Sequence, residues 1–149
     1  MKEIIKITNS KEETMSLAKS LADKLPSGIV ITFSGDLGAG KTTFIRGLAE
    51  GLGIKEVVQS PTFNIMKIYL KAKRPLIHID AYRLADIDTD IGLDEYIGYE
   101  TGITVIEWPI YIEKLIPSDS LDIEITNLGD DKRQIKFKLK DDSLLEMFK

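Results

Sequence analysis

Gly35-Asp36-Leu37-Gly38-Ala39-Gly40-Lys41-Thr42 is the stretch of sequence that decides the fold of this chain. It fits the pattern G-x-x-x-x-G-K-[ST] at every fixed position, and this pattern is typical of a loop that wraps around phosphate groups. The apolar, β-branched run at 29–33 precedes the loop and predicts a strand buried on both faces. Apolar residues at helical spacing follow the loop as far as Gly53 and predict an amphipathic helix.

Each fixed residue of the loop has a chemical reason to be there. The glycines allow the backbone to come close to a ligand and to direct consecutive N–H groups at phosphate oxygens. We expect the Lys41 ammonium to bridge the β- and γ-phosphates and the Thr42 hydroxyl to bind Mg²⁺. A turn required only for its geometry would not need lysine and threonine after the last glycine. We therefore predict that residues 35–43, through Thr43, bind a nucleotide.

The rest of the chain alternates β-prone and helical segments. Ser10, with Glu13 three residues later, has the spacing of a capping box and predicts a helix start. Further segments are predicted as strands at 4–7, 63–70, 76–80 and 103–107, as a short helix near 93–97, and as a C-terminal β-hairpin at 121–126 and 134–139 around Leu128-Gly129-Asp130-Asp131. We therefore expect an α/β fold of the P-loop NTPase type, a mixed sheet flanked by helices, in a single domain spanning 1–149.

Composition excludes several kinds of protein. The 149 residues include no cysteine, which excludes disulfides, thiolate metal sites and a cysteine nucleophile. The formal net charge of −4 argues against a protein that binds nucleic acid without a partner protein, because binding to the nucleic-acid phosphates normally needs a basic face. No apolar run approaches the roughly 20 residues of a membrane helix, and the first residues lack the apolar core of a signal peptide. We expect a cytoplasmic protein.

Two carboxylates follow apolar runs, and a phosphate loop needs such an acid on the metal side. Asp80 ends the run at 76–79, and Glu107 ends the run at 104–106. Both are predicted at the carboxyl edge of the sheet, where α/β folds bind ligands. Periodicity does not assign their separate roles, and a solvated acid at a strand end is the structural alternative for each.

Three other polar positions have two interpretations each. Ser60-Pro61-Thr62 lies about twenty residues after the loop, where nucleotide hydrolases often carry a switch, but it is also common turn chemistry. His78, the only histidine, is interpreted as structural rather than catalytic. Arg83 is interpreted as a partner of a nearby acid in preference to a charge stabiliser beside the phosphates.

Four motifs, in this order, resemble those of the TsaE family, the small ATPases of bacterial tRNA threonylcarbamoyladenosine synthesis. They are residues 35–43, Ser60-Pro61-Thr62-Phe63, His78-x-Asp80-x-Tyr82-Arg83-Leu84 and Val105-Ile106-Glu107-Trp108-Pro109. The order and spacing match over nearly the whole chain. One departure is Ala81, where relatives often have a larger apolar residue.

The resemblance implies a protein that binds ATP and Mg²⁺ and hydrolyses ATP. It also implies the partner proteins TsaD and TsaB, which modify the adenosine beside the anticodon of tRNA, with the threonylcarbamoyl transfer performed by TsaD. Together with the net charge of −4, this implies that the partners hold most of the RNA. Repeated cycles of modification would require ATP turnover by the small protein.

The resemblance also implies roles for residues near the phosphates. Thr42 and Glu107 would be ligands on the metal side, and Asp80 would be an essential acid near the γ-phosphate. Thr62 would belong to a switch segment, so the resemblance favours the interpretation of Ser60-Pro61-Thr62 as a switch over its interpretation as a turn. Trp108, beside Glu107, would report on or contact the complex.

The adenine side rests on the resemblance alone. It places Thr8 to Lys11 and Arg133 near the base. An arginine is able to stack on adenine, but Arg133 is equally interpreted as a solvated hairpin residue. The acidic stretch at 86–100 is interpreted as a solvated face, with a docking surface as the alternative.

Two other functions stay open on the residues alone. A small P-loop kinase for a metabolite would need an arginine-bearing lid, and the chain has only four arginines and no long basic insertion. A nucleotide-gated binding module would use the same loop without turnover. A GTPase is disfavoured because no Asn-Lys-x-Asp guanine reader is present.

Overall fold

Strands from both halves of the chain form one seven-stranded mixed sheet in the computed structural model, which describes residues 2–35, 40–55, 66–70, 73–82 and 95–148. The strands are β1 (Lys2–Thr8), β2 (Val30–Gly35), β3 (Met66–Tyr69), β4 (Leu76–Asp80), β5 (Ile103–Glu107), β6 (Leu121–Gly129) and β7 (Lys132–Leu139). Their order across the sheet is β1-β7-β6-β2-β5-β4-β3. The predicted α/β class with a mixed sheet is confirmed.

The centre of the sheet is parallel and its two margins are antiparallel. β2 lies between β5 and β6 and is parallel to both, and β4 is parallel to β5. β1, β7 and β6 form an antiparallel margin, and β3 pairs with β4 on the other side. The carboxyl ends of β2, β5 and β4 therefore meet at one edge, where Asp80 and Glu107 are register partners.

Two α-helices cover one face of the sheet, α1 (Lys11–Ala22) and α2 (Lys41–Gly51). α1 begins at Ser10, whose Oγ accepts a hydrogen bond of 3.0 Å from the Glu13 amide. The Glu13 carboxylate accepts in return from the Asn9 amide at 2.5 Å. The predicted capping box is therefore present, with its return bond one residue before the N-cap.

Alternating side chains along the strands form two cores, one on each face of the sheet. The helix face packs aromatic rings, with the Phe33 and Phe44 centroids 5.6 Å apart. The other face packs residues such as Ile79 and Ile106 against Ile112 of a 3-10 segment, Pro109–Leu115. This segment directly follows Glu107 and Trp108, so the second core holds the chain in place beside the candidate site.

The structure refines several predicted boundaries. β3 is four residues long within the predicted 63–70, and residues 63–65 lie outside the described residues. The hairpin strands extend to Gly129 and from Lys132, so the turn consists of residues 130 and 131 rather than four residues. A second 3-10 segment, Asp142–Phe148, was not predicted and adds Leu144 and Met147 to the core. No helix within the described residues is long and apolar enough to cross a membrane.

Candidate nucleotide-binding site

A cavity of about 520 Å³ opens at the carboxyl edge of the parallel strands, beside the start of α2. Among the described residues, its lining consists of Lys11, Thr14, Gly40, Lys41, Thr42, Thr43, Asp80, Glu107, Trp108, Asp131 and Arg133. Its volume lies within the range of small-molecule sites. Residues predicted for the phosphates (40–43), for the metal (Thr42 and Glu107) and for the adenine side (Lys11 and Arg133) therefore share one cavity.

The backbone on both sides of the predicted phosphate loop requires glycine. Gly35 ends β2 with a φ of 128°, and a Cβ there would overlap the carbonyl oxygen of Ile125. Gly40, the N-cap of α2, has a φ of 102° and provides no side-chain cap. Because the first amides of a helix have no partner within the helix and Gly40 has no side chain to cap them, the start of α2 is suited to an anion. Asp36, Leu37, Gly38 and Ala39 lie outside the described residues.

Lys41 is buried at the first position of α2, with 7% of its surface exposed. Its Nζ lies 4.6 Å from the centroid of the Trp108 ring, which provides a cation–π contact for the desolvated ammonium. The Trp108 ring also packs against the Tyr82 ring at 5.2 Å. The structure thus joins Trp108 to the predicted phosphate-binding lysine.

The two carboxylates lie side by side on the last residues of β4 and β5. Glu107 is buried, and its Oε2 lies 2.8 Å from Nε2 of His78. Asp80 is half-buried, and its Oδ1 accepts a hydrogen bond of 3.1 Å from the Tyr82 amide. The prediction that both acids stand at the carboxyl edge is realised in the fold, and His78 is connected to them through Glu107.

The predicted adenine side is only partly in the cavity. Lys11 and Arg133 line it, but Thr8 does not; the Thr8 hydroxyl is hydrogen-bonded to the Thr14 hydroxyl at 2.6 Å. The Arg133 guanidinium donates to the Asn127 side chain at 3.0 Å and to the Asp130 carbonyl at 2.7 Å. Arg133 also lies beside Gly40, where an added Cβ would be 3.4 Å from Arg133 Nε. Arg133 thus lines the cavity while its hydrogen bonds go to residues of the hairpin, and its contact with a base stays a prediction.

Sequence reasoning missed two lining residues, Thr14 and Asp131. Thr14 is one helical turn after Lys11, so the spacing i, i+3 placed both on one helix face. Asp131 lies in the hairpin turn two residues before Arg133. Thr62 and Arg83 lie outside the described residues, as do most of the acidic stretch at 86–100 and part of the helix predicted near 93–97.

Comparison with known proteins gives the family. The family model "Threonylcarbamoyl adenosine biosynthesis protein TsaE" matches residues 8–135. The chain belongs to the TsaE family. The resemblance of the four motifs to TsaE is thereby confirmed.

Individual relatives agree with the assignment to TsaE. The chain is 47% identical to "tRNA threonylcarbamoyladenosine biosynthesis protein TsaE" of Bacillus subtilis over 92% of this chain and 86% of that protein. It is 40% identical to the protein of the same name from Aquifex aeolicus, over 94% of this chain and 98% of that protein. The crystal structure of Bacillus subtilis YdiB superimposes with a TM-score of 0.83 and 39% identity, covering 99% of this chain and 92% of that one. The relatives are named for tRNA threonylcarbamoyladenosine biosynthesis, which is the pathway of the family.

Proposed function

We propose that this chain is a Mg²⁺-dependent ATPase that supports the protein complex forming N6-threonylcarbamoyladenosine on tRNA next to the anticodon. One observation carries the proposal. The first turn of α2, with Lys41 and Thr42, shares a cavity with two carboxylates from neighbouring parallel strands, Asp80 and Glu107. A cation, a hydroxyl and two acids around a helix N-terminus are the groups that ATP hydrolysis requires.

The phosphates of ATP would bind at the start of α2. The N-terminal amides of α2 and the buried Lys41 ammonium supply positive charge at one point, where the local dielectric constant is low and electrostatic attraction is strong. Residues 35–43 are the proposed phosphate-binding segment. The base would lie toward Lys11 and Arg133, which line the cavity near the hairpin turn.

The oxygen ligands in the cavity suit Mg²⁺ that is bound jointly by the protein and the phosphates of ATP. They do not suit a metal ion bound by protein side chains alone. The described residues contain no group of three or more histidine, cysteine, aspartate and glutamate side chains that would hold a metal ion. Mg²⁺ keeps several waters and typically binds one or two protein oxygens together with substrate phosphates. Thr42 and Glu107 would hold it here, and its charge would neutralise the charge that develops on the phosphate oxygens.

The mechanism we propose is in-line attack of water on the γ-phosphorus, in which a new P–O bond forms as the bond to the β,γ-bridging oxygen of ADP breaks and the proton of the water leaves with the inorganic phosphate. Lys41 binds the phosphate oxygens and stabilises their negative charge in the transition state. Asp80 would orient the attacking water or the hydration shell of a bound metal, and Thr62 would sense the γ-phosphate as a switch residue. The product phosphate and ADP then leave, which returns the site to its starting state.

The proposed partners are proteins similar to TsaD and TsaB, and tRNA would be bound through them. The net charge of −4 supports indirect contact with RNA, because a protein that grips tRNA by itself needs a basic face. The membership in a family of tRNA threonylcarbamoyladenosine biosynthesis supports a place in this complex.

The test combines ATP turnover in vitro with tRNA modification in cells. Purified protein with Mg²⁺ is expected to hydrolyse ATP slowly alone and faster with the partner complex. Lys41→Ala should abolish both turnover and complementation of cells that lack the native copy, whereas Lys114→Ala, an exposed lysine on the 3-10 segment, should change neither. Full tRNA modification with Lys41→Ala as the sole copy would contradict the proposal.

A metabolite kinase would show itself in the same assay as transfer of the γ-phosphate to a small molecule. The described arginines give it little support. Of the described arginines, only Arg133 lines the cavity. Arg74 is engaged elsewhere, because its guanidinium donates hydrogen bonds to the carbonyls of Ala22 and Leu25 near the end of α1. A lid kinase needs arginines that close over the phosphates.

A further inference from the structure

A buried pair of side chains joins one of the two cavity carboxylates, Glu107, to a histidine that does not line the cavity, His78. His78 has 2% of its surface exposed and Glu107 has 6%, and Nε2 of the histidine lies 2.8 Å from Oε2 of the glutamate. The pair joins β4 to β5 across the parallel centre of the sheet. Glu107 lines the cavity, but His78 does not.

The direction of the hydrogen bond follows from the chemistry of the two groups. An ionised carboxylate only accepts hydrogen bonds, so Nε2 of the imidazole carries the donated proton. Nδ1 of the same ring is buried and has no hydrogen-bond partner among the described residues. The hydrogen bonding of the ring that the structure records is therefore directed at Glu107.

The alternation of β4 explains why a histidine stands at this position. Side chains at 76, 78 and 80 face the helix side of the sheet, so His78 is on the same face as Asp80 but one step deeper. There it does not line the cavity, but it reaches the side chain at the end of the neighbouring strand. A glutamate has three rotatable side-chain bonds, and a hydrogen bond to one oxygen limits the orientations of the carboxylate.

We propose that His78 is a positioning residue, which holds the Glu107 carboxylate in the orientation that binds the metal. This inference rests on the proposed function, because Glu107 acts on the metal side only if the chain binds Mg²⁺ with ATP. Hydrogen bonds to a ligating carboxylate typically contribute a factor of 10 to 100 in metal affinity or activity. His78 acts through Glu107 and does not itself line the cavity in which the nucleotide would bind.

Two amide substitutions separate this role from simple filling of space. In His78→Gln the amide nitrogen reaches about as far as Nε2, and in His78→Asn it reaches about as far as Nδ1. We expect the Gln variant to retain most of the hydrogen bond and the Asn variant to lose it. If the Asn variant does not fold, His78→Met, which fills the same space without a donor, gives the same comparison.

The decisive measurement is metal-dependent nucleotide binding in the absence of turnover. A non-hydrolysable ATP analogue is titrated by calorimetry in EDTA and at increasing Mg²⁺, with Mn²⁺ binding followed in parallel by electron paramagnetic resonance. We expect the Asn variant to bind the analogue normally in EDTA and to need roughly 10 to 100 times more metal for the same gain in affinity. We expect the Gln variant to stay within about threefold of the unsubstituted chain and to keep its kcat.

Thr104→Val is the matched control. Thr104 is also fully buried, on β5, and its hydroxyl lies 3.2 Å from the Gly98 amide, away from the cavity. This variant is expected to lose thermal stability and to keep normal metal dependence. In a chain that carries Glu107→Gln, adding His78→Asn should cause no further loss of metal dependence, because the acid through which His78 acts is already changed.

Metal dependence in His78→Asn equal to that of the unsubstituted chain would overturn the inference, as would an equal loss of binding in EDTA. The proposed function fails in a different way. If the unsubstituted chain gains no nucleotide affinity from Mg²⁺ and hydrolyses no ATP, the proposed ATPase is wrong. If it does both and the His78 variants match it, only the role of His78 is wrong.

Discussion

Trp108 has a backbone conformation that few residues other than glycine adopt, with a φ of 58° and a ψ of 53°. Such a conformation costs on the order of 1–3 kcal/mol and persists only where the surrounding structure holds it. Here Pro109 follows directly, and the Tyr82 ring packs against the indole. The result is that the indole lies over the Lys41 ammonium, at the point where the phosphates of ATP would bind.

The first prediction uses the fact that Trp108 is the only tryptophan. Phosphates should attract the Lys41 ammonium away from the indole face, so the intrinsic fluorescence should change when ATP or ADP binds. Lys41→Met should remove this change. Titration of emission intensity and wavelength measures it, and an identical nucleotide-induced change in Lys41→Met would show that the indole does not report on this contact.

The second prediction concerns the two strand-end acids. Asp80→Asn and Glu107→Gln keep the size of the side chains and remove the charge, so each should lower ATP turnover by on the order of 10²-fold or more while nucleotide affinity falls much less. Steady-state kinetics with equilibrium binding separates the two effects. Glu113→Gln, an exposed acid on the 3-10 segment, is the control. Equal losses of ATP turnover and nucleotide affinity would show that neither acid acts specifically in the catalytic step.

At the scale of elements, the contact of α1 with α2 decides where the phosphate end of α2 stands. Gly47 and Gly51 of α2 lie against Ala18 and Ala22 of α1. A Cβ at Gly47 would be 2.6 Å from the Met15 carbonyl oxygen and 2.8 Å from the Ala18 Cβ. The two helices are therefore packed with almost no space between their backbones at these glycines, which fixes the position of α2 relative to α1.

The third prediction follows from this contact. In an exposed helix, Gly→Ala would stabilise by roughly 1 kcal/mol, but Gly47→Ala should lower the free energy of unfolding by about 1–3 kcal/mol because the helices must move apart. Urea unfolding measures it. Glu50→Ala, on the exposed side of α2, should change the free energy by no more than about 0.5 kcal/mol, since its ion pair with Lys19 is solvated. A stabilised Gly47→Ala variant would show that the helices separate easily.

At the scale of the whole molecule, the sheet, both helices and the hairpin each provide one part of the cavity. A ligand that binds there therefore connects elements that are distant in the sequence, from Lys11 to Arg133. Binding to the folded state alone stabilises the whole fold by mass action.

The fourth prediction is the size of this stabilisation. ADP or ATP with Mg²⁺ at a hundredfold excess over Kd should add about 2.7 kcal/mol, which is a rise in Tm of roughly 5–10 °C for a chain of this length. Lys41→Ala should lose most of the rise, and removal of the nucleotide should reverse it. Differential scanning fluorimetry measures it. A rise that is the same in Lys41→Ala would place the nucleotide elsewhere.

Much of the fold was predictable because its signals are local. The loop motif, the capping box at Ser10 and the alternation of the hairpin strands each depend on residues a few positions apart. The ends of β4 and β5 were also predictable, since each apolar run stops at an acid. The 3-10 segment at 142–148 was missed because seven residues with mixed spacing carry no clear period.

The residue pattern alone was enough to indicate a phosphate-binding α/β protein with two acids at the carboxyl edge. It did not show that His78 contacts Glu107, that Trp108 covers Lys41, or that Thr14 takes the place in the cavity predicted for Thr8. These contacts depend on which strands are neighbours, on their register and on the direction of the chain after β5. Periodicity indicates which face of a strand or helix a side chain occupies. It does not indicate which residue that side chain contacts, because the contact forms only when segments distant in the sequence pack together.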